Sequence, residues 1–195
     1  MSAIFSDPSF RRGSTLLGGE AIETDANGPI AGREIVGQVK VFQDVVPTGK
    51  GERKSNRLVY CVAARYTGAT VSDATTVAGK VMKFSASAPL TEIDGTEAVN
   101  GDVHDVAVGV VDEYLAGELR QNDICWVVVK GPTSVKKNAA GAVGDGVAVE
   151  VTGSAGQIQA HATGNVLGQH IGDDQGTKTV GAGEGIRVNL HSNFI

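Results

Sequence analysis

The sequence predicts a mainly β protein: a compact β-barrel or β-sandwich preceded by an extended N-terminal arm. Three observations point there. Apolar residues recur with a period of two, as in Ile35, Gly37, Val39 and Val41, and again in Ile186, Val188 and Leu190. The apolar content rests on Val, Ala, Ile and Leu, which suit short strands better than long helices. The chain also holds 27 glycines among its 195 residues, many at positions that read as turns between those runs. Together these suggest about eight to eleven short strands and little helix.

Residues 1–32 show no lasting periodicity. Phe5, Phe10, Leu16 and Leu17 are spread among Ser, Asp, Pro, Gly and Arg, so this stretch is expected to be an arm, not part of a sheet. Such a segment is either a disordered leader or an extended element ordered by a neighbouring subunit or surface. Arg11 and Arg12, beside Phe10, could meet an acidic groove. The principal β domain is expected over 33–195, with a division near 94–102 as the alternative, because Gly95 and Gly101 punctuate that polar stretch.

Within the domain, Glu34, Gln38 and Lys40 alternate with the apolar positions of the first strand. The Pro47–Gly51 segment breaks it, and Glu52–Arg57 reads as a charged, solvated loop. A strand resumes over Leu58–Ala64, and Thr75–Phe84 is a further candidate. Val106–Val111 and Ile124–Val129 form a closely spaced pair of apolar runs. Because both faces of Ile124–Val129 are apolar, it should be a central strand or one covered by a neighbour, with Trp126, Val127, Val128 and Val129 in the core or at a subunit interface. Lys130-Gly131-Pro132 should stop it, since proline cannot donate to a ladder. Lys136-Lys137-Asn138 reads as a solvated basic spot, and Asp145-Gly146 as a turn before Val147, Val149 and Val151. Further short strands are expected around Ile158–Ala162, Asn165–Gly168 and Ile186–Leu190.

The formal charge of -5 argues against direct nucleic-acid binding, which needs several Lys or Arg on one face. No segment is long and apolar enough to span a bilayer as a helix, so no membrane partner is expected. The N-terminus does not read as a signal peptide. With only Cys61 and Cys125, both within apolar runs, the expectation is two reduced, buried thiols. A disulfide requires their strands to be neighbours.

Catalytic chemistry finds little support. Gly49-Lys50-Gly51 lacks the longer arc ending in Lys-Ser or Lys-Thr that cradles phosphates. His104-Asp105 cannot form a simple orienting pair in a regular strand, because adjacent side chains face opposite ways. Neither Ser134 nor Ser154 lies in a nucleophile elbow. His161, His170 and His191, with Asp173 and Asp174, match no short metal-ligand motif and read as surface histidines and turn carboxylates. The chain is therefore expected to be no enzyme, with no catalytic, cofactor-binding or metal site and no cofactor.

The stretch VAVGVVDEYLAGELRQNDICWVVVKGP, Val106–Pro132, resembles the head decoration, or cement, proteins of tailed bacteriophages. That resemblance implies a structural protein that binds the outer surface of an expanded capsid and stabilises it. The implied partners are the major capsid protein and further copies of itself, as a homotrimer with a dimer as alternative. Its implied location is the virion exterior, after assembly in the host cytoplasm. Phe5, Phe10, Arg11, Arg12, Leu16 and Leu17 become the candidate arm contacts. A tail or baseplate β-module and a carbohydrate-binding module are the other readings; the latter needs an exposed aromatic platform built from Tyr60, Tyr66, Tyr114 or Trp126.

Overall fold

The computed structural model describes residues 36–45, 53–98, 108–138, 141–152, 156–163, 165–171 and 178–191. The arm, the Gly49–Gly51 turn, His104 and Asp105, Ser154, and Asp173 and Asp174 lie outside them, as do residues 99–102 of the stretch considered for a domain division.

The described chain is mainly β. Its strands are β1 (Val39–Val45), β2 (Arg53–Tyr66), β3 (Val81–Phe84), β4 (Glu92–Glu97), β5 (Val108–Val111), β6 (Ile124–Lys136), β7 (Gly141–Val143), β8 (Ala148–Val151), β9 (Ile158–Ala160), β10 (Val166–His170), β11 (Lys178–Val180) and β12 (Gly185–Leu190). Ten of them form one sheet in the order β1-β2-β4-β3-β5-β6-β12-β10-β8-β9, and β7 pairs with β11 separately. The topology is mixed, since β2 and β4 run parallel while the other strand pairs are antiparallel. Strand β6 also pairs directly with β2, so the pairs lead from β2 through β4, β3, β5 and β6 back to β2.

Alternation along β2 and β6 splits the buried side chains into two cores. Val59, Cys61 and Ala63 join Ile124, Trp126 and Val128 in a first core, which continues to Val149, Val151, Ile158, Ile186, Val188 and Leu190. Val62, Ala64 and Tyr66 join Cys125, Val127 and Val129 in a second, with Met82, Phe84, Ile93 and Val111. The result is sandwich-like: a β2–β6 layer with apolar packing on both faces. This is why Ile124–Val129 is apolar at every position. The loop from β5 to β6 seals the second core by inserting Leu115 and Leu119, while Ala116, Gly117 and Glu118 between them stay exposed.

Strand β6 does not stop at Pro132. It pairs with β2 as far as Tyr60↔Lys130, and from Gly131 onward it pairs with β12, in Leu190↔Gly131 through Gly185↔Lys136. The register with β2 slips by one residue between Tyr60 and Cys61, a bulge that bends the strand. Gly131 makes the bend possible: its φ is +96°, and a β-carbon there would lie 2.2 Å from the Leu58 carbonyl oxygen. Pro132 follows the bend, where β12 is the only described strand paired with β6, a position that tolerates a missing donor better than a centre flanked on both sides.

Three other expectations are corrected. Only Val81–Phe84 of the Thr75–Phe84 candidate is a strand; Ala74–Thr76 is a 3-10 turn, capped by the Asp73 side chain accepting from Thr75 N at 3.0 Å. Most of the predicted charged loop Glu52–Arg57 belongs to β2, where Asn56 and Arg57 remain exposed while β1 supplies the ladder. The basic spot is solvated only in part, with Lys136 and Asn138 partly exposed. Because β6 continues, Lys137 is buried and Lys136 Nζ donates to the carbonyl oxygens of Thr75 and Thr76 at 2.8 and 3.0 Å. Burial, reinforced by nearby Lys80, lowers the Lys136 pKa.

Candidate functional site

Of the residues singled out from sequence, Trp126, Val127, Val128 and Val129 are all buried within the chain. Trp126 and Val128 face the first core, Val127 and Val129 the second. The Trp126 ring meets Phe42 of β1 edge-on, with centroids 5.2 Å apart and planes at 73°, an arrangement that suits the quadrupoles of the two rings. Its Nε1–H has no hydrogen-bond partner among the described residues.

Phe42 reveals how β1 is oriented. The apolar positions Val39 and Val41 and the polar positions Lys40 and Asp44 lie on opposite faces, and Phe42 shares the second. That second face packs inward: Phe42 lies against the first core and Asp44 is fully buried. Asp44 is ion-paired with Arg187 of β12 and accepts from Ser55 Oγ of β2 at 2.6 Å. Arg187 reaches Glu113, in the turn after β5, at 3.1 Å. One guanidinium thus joins the first strand, the last strand and an intervening turn. Neither Asp44 nor Arg187 was singled out in the sequence; the available signal was Phe42, a large aromatic side chain on the polar side of the alternation.

The other face of β1 is open. Cross-strand pairing with β2 sets Val39 opposite Val62, Val41 opposite Tyr60 and Gln43 opposite Leu58, so these six share a face. Val62 is buried in the second core, yet Val39 is 45% and Leu58 44% exposed, with Val41 and Tyr60 partly exposed between them. Lys130 Nζ lies over the Tyr60 ring, 5.4 Å from its centroid. Strand β1 also stands at the end of the sheet order, paired only with β2 among the described strands. At the opposite end β9 is three residues long, and Ile158 bridges back to Lys137.

The remaining polar clusters are engaged in local structure. Asp123 is buried, its Oδ2 accepts from Arg120 N at 2.7 Å, and its pKa is raised by burial. The Cys125 thiol is pushed up to about 12 by burial and by the neighbouring Asp112 and Asp123. A thiol held protonated in this way is a poor nucleophile. Cys61 and Cys125 are both free and buried. His161 and His191 are exposed, but His170 is not the surface histidine expected: it is 1% exposed, with Nδ1 3.0 Å from the Gly144 carbonyl oxygen. The turn over Gly144–Val147 folds back onto β10, through Gly146 N to His170 O and His170 N to Val147 O, and covers the ring. Among the described residues no group of three or more His, Cys, Asp or Glu is placed to hold a metal ion. No described helix is long and apolar enough to cross a membrane. Of the aromatic residues considered for a sugar platform, Trp126 and Tyr66 are buried, whereas Tyr60 and Tyr114 are partly exposed.

No family model and no curated protein matches the chain. Among solved structures, it is similar to the N base of the head fiber gp8.5 of bacteriophage phi29, with a TM-score of 0.41 and 17% sequence identity. The match covers 68% of this chain and 94% of that one.

Proposed function

We propose that the protein is a non-enzymatic structural subunit that attaches to the outer surface of an expanded phage capsid and stabilises it. The observation that carries this reading is where the decoration-like segment Val106–Pro132 falls. Its described part forms β5, the loop that seals the second core, and the half of β6 that both cores share. The resemblance therefore lies in the part of the chain that organises the fold, not in a peripheral loop. A β layer buried on both faces, cross-tied by Arg187, is also a suitable body for a subunit that must resist load.

In this reading the partners are the major capsid protein and other copies of the chain, most simply in a homotrimer. Residues 1–32 act as the arm, with Phe5, Phe10, Leu16 and Leu17 as apolar anchors and Arg11 and Arg12 as charged ones. Residues 33–195 act as one unit. The protein would gather in the host cytoplasm and end on the virion exterior.

The test is to incubate purified protein with expanded, undecorated capsids and image them by electron cryomicroscopy. Added density at symmetric positions, together with greater resistance of the capsids to heating, is the expected result. Absence of density, with saturable glycan binding lost in Tyr114→Ala, would replace this reading with a carbohydrate-binding one.

A further inference from the structure

The two ring nitrogens of His170, the last residue of β10, meet different surroundings. Nδ1 lies 3.0 Å from the Gly144 carbonyl oxygen. A carbonyl oxygen only accepts, so the proton of the neutral ring sits on Nδ1 and Nε2 keeps a lone pair. Nε2 is buried and has no hydrogen-bond partner among the described residues. The cover over the ring is the turn Gly144–Val147. It is held down by the ring's own bond to Gly144, by Gly146 N donating to His170 O and by His170 N donating to Val147 O, the last two at 2.9 Å. Three hydrogen bonds of the turn thus converge on one residue. Its outer side is exposed at Asp145, Gly146 and Val147, and Gly146 has φ +74° with nothing within 4 Å of an added β-carbon.

We propose that this turn is a pH-operated flap, closed over neutral His170 and opened when the ring gains a second proton. That proton adds at Nε2, where it becomes a buried donor without an acceptor and brings a positive charge to the first core. The charged groups around the ring do not relieve it. From the turn, Asp145 Oδ1 stands 3.6 Å from Nδ1, but this carboxylate is half exposed and lies by the nitrogen already bonded to Gly144. Strand β7, which leads into the turn, carries no titratable residue. From β12, the residue opposite His170 is Val188, while Arg187 turns to the other face, to Asp44 and Glu113. From β8, Val149 shares the His170 face through its pairing with Gly168, whereas Glu150 alternates away and accepts from Gln159 Nε2 at 2.7 Å. Opening the turn brings water to Nε2 and frees the charge from the core, at the expense of the three bonds that converge on His170. Imidazoles change charge between about pH 5 and pH 8, so the flap answers to mild acid. Opening uncovers the end of the first core at Val143 and Val149, both buried in the closed state. The switch belongs to the free chain and does not rest on the capsid reading.

The experiment follows the full chain by NMR from about pH 7.5 to about pH 4.5, with ring nitrogen shifts reporting His170 protonation and amide hydrogen exchange reporting the turn. Exchange rates are corrected for the pH dependence of an unstructured chain. Protection of the Gly146 and His170 amides should fall by about tenfold or more in step with ring protonation, while the β6 and β12 amides keep theirs. His170→Asn, which offers Gly144 a donor but does not titrate, should hold Gly146 protection constant. Asp145→Asn leaves the ring unaltered and should still open. Constant protection of Gly146 down to the lowest pH would overturn the proposal, whatever the ring does. A response that survives in His170→Asn, or is lost in Asp145→Asn, would assign it to another group and overturn the proposal as well. Simultaneous loss of protection in β6 and β12 would do the same, since that is global unfolding.

Discussion

Arg187 of the last strand is ion-paired with Asp44 of the first, inside the protein, where Asp44 has no solvent exposure. Glu113 shares the same guanidinium. Removing the cation leaves the buried Asp44 carboxylate and the partly buried Glu113 carboxylate without their shared counter-charge. Arg187→Met should therefore lower stability by about 3–5 kcal/mol, read from denaturant unfolding. Neutralising all three positions, with Asp44→Asn and Glu113→Gln added, should recover part of that loss. A cost below about 1 kcal/mol for Arg187→Met alone would show that water reaches the cluster.

Gly131→Ala should destabilise by about 3 kcal/mol or more, because it combines a positive φ with a β-carbon 2.2 Å from a backbone oxygen. Gly117→Ala is the control. Its φ is +83° but nothing lies within 4 Å of the added carbon, so only the conformational cost of about 1–2 kcal/mol is expected. Similar thermal midpoints for the two variants would mean that the bend of β6 relaxes easily.

Trp126→Ala should cost about 3–5 kcal/mol, less where the site collapses. Trp126→Phe should cost far less, because it retains an aromatic ring against Phe42 and removes a buried donor whose unmet hydrogen bond costs about 1–3 kcal/mol. The native fluorescence maximum should be blue-shifted and should move to the solvent value on unfolding. A solvent-like native spectrum would contradict the burial.

Cys61 and Cys125 occupy neighbouring strands, yet Cys61 stands opposite Val128 and Cys125 opposite Ala64, each in a different core. Adjacent strands alone are not enough for a disulfide when the side chains leave by opposite faces. Mass spectrometry should find both thiols reduced. Neither should react with a thiol reagent at neutral pH until the protein unfolds, since both are buried and the Cys125 pKa is pushed up to about 12.

Asp123 gives a pH dependence of defined sign. Burial raises its pKa in the folded state, so its ionised form weakens the fold above that raised value. The penalty shrinks as pH falls through the folded pKa and is gone below the unfolded one. Asp123→Asn keeps an oxygen to accept from Arg120 N, so it should be neutral or stabilising by about 1 kcal/mol at pH 7. Its advantage over the unaltered protein should fade on acidification. A benefit that grows toward low pH would reverse the assignment.

Much of the fold is legible in local alternation. Period-two runs locate β1, the second half of β2, β8 and β12, and the doubly apolar run Ile124–Val129 marks a strand with packing on both faces. The features that escape are those decided by a distant partner. Pro132 looks like a terminator until β12 replaces β2 beside it. Lys137 looks solvated until the continuation of β6 carries it inward, and His170 until a turn twenty-odd residues earlier folds over it. Asp44 and Arg187 are separated by most of the chain, so neither announces the other. At the surface, alternation reveals that Val39 and Val41 share a face, but not that the protein leaves this face open while Phe42 points inward.

The sharing of β6 among β2, β5 and β12 also imposes an order in time. Its first half joins β2 in pairs such as Ala63↔Trp126, and its second half joins β12 in pairs such as Val135↔Ile186, across about sixty and about fifty residues of sequence. During synthesis the β2 side can form as soon as β6 leaves the ribosome. The β12 side must wait for Gly185–Leu190, a delay on the order of 3–10 s at ordinary elongation rates. For that interval the nascent chain carries the second half of β6 without its β12 neighbour. Maturation is therefore slow and non-local, and completing this sheet waits on the arrival of β12.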